Sequence, residues 1–192
     1  MSNKNETSEH DESAELHAHM QHMADEQFRR QMRQAAILLS QGHGAEAIPL
    51  LERCLELRPD DPNVLSNLGS AYILAGKPKH AVPFLERATE IEPENPSLWA
   101  NLAAAYLGKL VTSTRAKQDR ALEAYRRALE LDAAYPNAHY NMGLIYIDRK
   151  DWDAAHEAFT RALETNPHDE DARRMQARVA ELRDRPTDTD AN

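Results

Sequence analysis

One cysteine, Cys54, stands among 192 residues, so no disulfide can form within the chain. Six glycines are scattered through the sequence. None belongs to a glycine-rich loop of the kind that cradles phosphate, which argues against nucleotide chemistry. Aromatic residues make up 6% of the chain. No stretch approaches the eighteen or so consecutive apolar residues of a membrane-crossing helix, so no membrane span is expected. The opening residues, MSNKNETSEHDE, lack the basic start and apolar core of a secretory signal, and the expected compartment is the cytoplasm. A coherent basic surface is also missing, which argues against nucleic acid as a partner.

The net charge of −9 is a property of the ends rather than of the body. Residues 1–27 carry seven acids and one lysine, and residues 184–192 carry three acids and one arginine. The intervening residues hold 21 basic and 22 acidic side chains and are close to neutral. Acidic ends on a neutral body predict solvated, disordered tails at 1–12 and 186–192.

What the chain does have is a period of 34 residues. Pro59 returns as Pro93, Ala47 as Ala81, Gly42 as Gly76, and Ala35 as Gly69 and Ala103. One step of 40 follows, after which Gly143, Tyr146, Ala155, Phe159, Ala162 and Pro167 complete a fourth copy. A period of this length predicts stacked two-helix units and an open all-α superhelix, or solenoid. Each recurring residue has a physical reason. Small residues such as Gly69 and Ala81 let two helices cross closely, and Ala88 permits contact with the following unit. Pro93 lacks an amide hydrogen and pushes the residue before it out of helical geometry, so it ends a helix. Asp61-Pro62 and Asn95-Pro96 restart one, with a side-chain oxygen to cap and a proline at the first helical position. Tyr135-Pro136 keeps the proline without the capping oxygen, which predicts a less sharply defined start. Pro49 and Pro83 fall inside second helices and should cost stability unless they lie in the first turn.

These residues resemble the tetratricopeptide repeat (TPR) family. The copy PNVLSNLGSAYILAGKPKHAVPFLERATEIEPEN, residues 62–95, shows its signposts most completely. The resemblance implies four repeats, at 28–61, 62–95, 96–135 and 136–169, the third with a six-residue insertion. That insertion, within GKLVTSTRAKQDR, is expected to lengthen the two flanking helices, the other outcome being a basic knob of Lys109, Arg115, Lys117 and Arg120. Residues 170–185, with Met175, Val179 and Leu182 at helical spacing, read as a terminal cap for the last repeat. Cys54 takes a slot held by alanine in other copies, so its expected role is packing.

Residues 13–27 read as a further helix whose apolar stripe, Leu16, Met20 and Met23, falls out of step with the stripe Phe28, Met32, Ala35 and Leu39. A break or bend near 24–27 is expected. The earlier piece could cap copy one, pair with another chain or lie in its own groove. Its run HAHMQHM offers His17, His19 and His22 as weak metal candidates, but no cysteine or carboxylate completes a known spacing, and no metal or other cofactor is expected. The remaining histidines fall at unrelated repeat positions, and paired acids sit where capping explains them. No catalytic residue is expected, and the chain reads as a non-enzyme.

The functional signal is a recurring amide. Asn67, Asn101 and Asn141 each stand two residues before the small crossing residue, and Arg33 takes that place in copy one. In the family this place faces the concave groove, so the resemblance implies a ladder able to hold the backbone of an extended peptide. Ser66, Ser70, Leu74, Tyr140 and Leu144 are expected to line the groove beside it. No basic residues accompany the asparagines as a clamp for acidic chaperone tails would require. The expected function is a scaffold binding an extended segment of another protein. The alternative is a self-assembling protein, a homo-oligomer joined through residues 13–27.

Overall fold

The computed structural model describes residues 3–185, with side chains from residue 15 onward. Among the described residues there are nine α-helices and no strand. They run α1 Asn3–Ser40, α2 Gly44–Leu57, α3 Pro62–Leu74, α4 Pro78–Ile91, α5 Pro96–Leu107, α6 Arg115–Leu131, α7 Ala138–Asp148, α8 Trp152–Thr165 and α9 Glu170–Arg183. A short 3-10 turn, Leu110–Thr112, separates α5 from α6. Each helix packs on the next, and α3 also touches both α1 and α5. This is an α-α superhelix, in which α3 meets both odd-numbered neighbours, α1 and α5.

The helix boundaries follow the capping chemistry. Asp61 accepts hydrogen bonds from the amides of Asn63 and Val64 at 3.0 and 3.2 Å, and Asn95 accepts from Ser97 at 3.1 Å. Thr114, Asp151 and Asp169 cap α6, α8 and α9 in the same way. Such caps contribute about 1 kcal/mol each. Asn137 precedes α7 with a left-handed φ of 60° and no side-chain cap. Lacking that acceptor, α7 starts two residues after Pro136, whereas α3 and α5 start at their prolines.

Inside each unit the crossing depends on what is absent. A Cβ on Gly69 would lie 2.5 Å from Leu85, and one on Gly143 would lie 2.7 Å from the Phe159 ring. Leu85 and Phe159 are fully buried, so no alanine fits there without displacing core. Ala88 packs with Leu65 and Leu98 and so joins consecutive units. At the far end Val179 and Ala172 of α9 bury against Phe159 and Ala155, as a cap requires.

Two expectations are corrected. First, α1 is a single helix, with no break at 24–27 and no separate acidic tail before it from residue 3 on. Residues 3–40 contain neither proline nor glycine, so nothing interrupts the backbone hydrogen bonds. The stripe that slips out of register is carried out to solvent instead: Leu16, Met20 and Met23 are 59%, 62% and 53% exposed. At about 100° per residue it points roughly a third of a turn away from the face that packs on α2. Asp25 pairs with Arg58 at 2.8 Å and Phe28 lies under the same guanidinium, which fixes the point where α1 leaves the stack.

Pro49 and Pro83 do fall inside their helices, at the sixth residue and beyond the first turn. Each removes a helical hydrogen bond, and both side chains are exposed, so water can reach the freed carbonyls. Second, the insertion does little to lengthen helices. The twelve residues of α5 fall between the thirteen of α3 and the eleven of α7, and α6 gains only three over the fourteen of α4 and α8. The rest forms the 3-10 turn, because Gly108 at φ 58° ends α5 and Thr114 restarts the chain. The other end of the chain, 186–192, lies outside the described residues.

Candidate functional site

The asparagine row is built by three alternate helices. Asn67 lies in α3, Asn101 in α5 and Asn141 in α7, and all three are half-buried. Their surroundings make them unequal. Asn67 has no side-chain partner among the described residues, so its amide keeps both a donor and an acceptor available. The Asn101 amide nitrogen donates to the Ser66 hydroxyl at 3.5 Å, a long bond that ties α5 to α3. Asn141 hydrogen-bonds the hydroxyl of Tyr125, a residue buried in α6.

That last bond has an electrostatic consequence. Burial pushes the Tyr125 hydroxyl up to about 12, and the hydrogen bond from Asn141 acts against the rise by favouring the phenolate. Asn141 is therefore committed to a core tyrosine. Sequence reading treats the three asparagines alike, since nothing in the period marks Tyr125 as their neighbour.

The flanking residues divide in the same way. Ser66 and Ser70 are half-buried and Leu74 is 49% exposed, all on α3 beside Asn67. Tyr140 and Leu144 instead pack against the cluster that α8 and α9 share, Tyr140 edge-on to Phe159 with ring centroids 5.5 Å apart. Burial, with Asp171 and Asp169 nearby, raises the Tyr140 hydroxyl above its ordinary range. The part of the row least engaged by the protein itself thus runs from α3 to α5.

The histidine run lies on the free part of α1. His22 approaches Glu26 at 3.4 Å, one turn on, and His19 is exposed. Among the described residues no three of His, Cys, Asp and Glu are grouped as a metal site would need. Cys54 is buried against Phe28 and Val64, its thiol 3.7 Å from the Gln31 side-chain oxygen. Burial raises that thiol, with Asp61 adding and Arg58 opposing, so it is a poor nucleophile. No helix among the described residues is long and apolar enough to cross a membrane.

One polar constellation escapes sequence reading. Gln118 of α6 is buried, donates to Asp148 at 2.7 Å and accepts from the Arg149 Nε at 2.8 Å. Arg149 also reaches the Arg115 carbonyl and pairs with Asp119 at 2.8 Å. The network joins the start of α6 to the end of α7. A glutamine in place of an apolar residue just after the insertion is the signal that could have pointed to it.

Three family profiles match the chain, all of them for the tetratricopeptide repeat, over residues 38–106, 116–148 and 136–169. Among solved structures the fold is similar to that of MamA, with a TM-score of 0.70 and 22% identity over 83% of this chain and 84% of that one. It is similar to a thermophilic TPR protein of Thermus thermophilus, TTC0263, with a TM-score of 0.67, 21% identity and coverage of 82% and 84%. A tetratricopeptide repeat protein from Parabacteroides merdae matches with a TM-score of 0.67, 22% identity and coverage of 82% and 60%. No curated protein matches the chain. At these identities the likeness is one of fold.

Proposed function

The chain belongs to the tetratricopeptide repeat family, and from that premise we propose that it is a protein-interaction scaffold whose inner face takes an extended segment of a partner protein. The observation that carries this reading is Asn67. It is a half-buried amide with no internal partner among the described residues, set beside Ser66, Ser70 and the Asn101 amide. An unpaired amide at that depth can exchange hydrogen bonds with a peptide backbone whatever the peptide's side chains, while Leu74 offers an apolar contact. The seat of recognition is then α3 and α5. Asn141, spent on Tyr125, contributes mainly to holding α7 in place. The reading involves no covalent chemistry and no cofactor.

The test is partner capture by the purified chain, with Asn67→Ala, Asn101→Ala and Asn141→Ala made singly and together. Asn67→Ala should reduce capture most while leaving helicity unchanged. Equal capture by the triple variant and the parent would sink the reading.

A second reading is favoured by a separate observation. The exposed Leu16, Met20 and Met23 form an unpartnered apolar stripe on the projecting part of α1, which suits self-association. Light scattering coupled to size exclusion, before and after deletion of residues 1–27, decides it. A parent chain that is already monomeric counts against self-association.

A further inference from the structure

The chain has six lysines, and four of them, Lys77, Lys79, Lys109 and Lys117, line one cleft. The cleft has a volume of about 560 Å³ and sits where the α3–α4 turn meets the insertion between α5 and α6. Arg120 adds a fifth cation to its wall, and no aspartate or glutamate lines it. Among the described residues the four lysines form no ion pair, although arginines elsewhere form many. Arg120 alone is partly neutralised, lying 3.9 Å over the Tyr106 ring and 2.7 Å from Glu86. The lining also includes apolar Val82, Leu107 and Pro78, and Val111 stands 93% exposed on the neighbouring 3-10 turn.

The insertion makes this arrangement. Gly108, at φ 58°, turns the chain so closely past Pro78 that a Cβ would lie 3.2 Å from that ring. Lys109 thereby joins Lys77, Lys79 and Lys117 in the lining of one cleft. Four lysines lining one cleft without ion pairs repel one another, and an anionic ligand removes that cost. A lining that combines cations with apolar side chains suits a ligand carrying carboxylates beside an apolar side chain.

We propose that this cleft is a second docking site, for an acidic segment of a partner protein. Ser66, Asn67, Ser70 and Asn101 do not line it, so it is separate from the asparagine row. Its charge complements an acidic peptide as the near-neutral body as a whole does not.

The probe is a fluorescein-labelled dodecapeptide of glutamates around one central leucine, titrated into the full chain and followed by anisotropy, with a glutamine version as control. The glutamate peptide should bind, and the glutamine peptide should bind at least about tenfold more weakly. Binding should fall by about another tenfold between roughly 50 and 500 mM salt, because screening shortens from over ~10 Å toward ~4 Å. Lys109→Glu with Lys117→Glu should weaken it about tenfold to a hundredfold, with circular dichroism unchanged. The matching Lys→Arg pair should retain it, and the Asn67→Ala, Asn101→Ala, Asn141→Ala triple variant should leave it untouched. Equal binding of the two peptides, or indifference to Lys→Glu, would overturn the proposal. So would tighter binding of a single-stranded oligonucleotide of the same length. Self-association of the full chain that disappears in the Lys→Glu pair would assign the cleft to a second copy and refute a foreign partner.

Discussion

Asn141→Ala separates a structural asparagine from a binding one. Tyr125 is 3% exposed, and Asn141 is its hydrogen-bond partner. Truncating Asn141 leaves a buried hydroxyl without that partner, at a cost of about 1–3 kcal/mol. Tyr125→Phe removes the hydroxyl itself and leaves a half-buried amide that water can reach, so its cost should be about 0.5–1.5 kcal/mol. The double variant should then cost little more than Tyr125→Phe alone, with a coupling of about 1 kcal/mol. Urea unfolding followed by far-ultraviolet circular dichroism resolves this. A loss of about 2 kcal/mol moves the midpoint by roughly 1 M at the slope usual for small domains. Asn67→Ala, by contrast, should shift the midpoint little and capture strongly. If Asn141→Ala leaves stability unchanged, or its cost simply adds to that of Tyr125→Phe, the assignment of Asn141 to the core is wrong.

Other variants probe the frame around that site. Gly143→Ala should destabilise by about 1–3 kcal/mol despite the gain in helix propensity, because the new methyl meets a fully buried Phe159 ring; thermal melts would read it, and a rise in stability would refute the close crossing. Pro83→Ala should stabilise by roughly 1–3 kcal/mol, since an exposed proline past the first turn withholds a helical hydrogen bond; the same urea assay applies. Arg149→Ala should cost about 1–3 kcal/mol by unlinking Gln118, Asp119 and the Arg115 carbonyl, and hydrogen exchange should quicken at the start of α6. Because burial raises Tyr125 to about 12, its contribution is complete below about pH 10 and is lost as pH climbs through about 12, amounting to roughly 3 kcal/mol. Tyr125→Phe should flatten the pH dependence of the melting temperature across that window relative to the parent, and an unaltered profile would count against it.

The period of the chain determined its helices, their order and most of their ends, because capping and proline geometry are local. Asp61-Pro62 and Asn95-Pro96 begin α3 and α5 where neighbouring residues alone require it. The 34-residue repeat also set which residues recur along one side, and hence the asparagine row. What each asparagine does was decided only in three dimensions. A hydrogen bond between Asn141 and Tyr125, or between Asn101 and Ser66, spans separate helices whose distance depends on packing. The same holds for α1, where a slipped apolar stripe suggested a break. A helix without proline or glycine keeps its backbone bonds whatever its stripe does, so Leu16, Met20 and Met23 were left facing water instead. The lysine cleft is the furthest from anything local. Its charges come from two turns about thirty residues apart in the chain, brought together because each unit packs on the next and Gly108 lets the insertion fold back against Pro78.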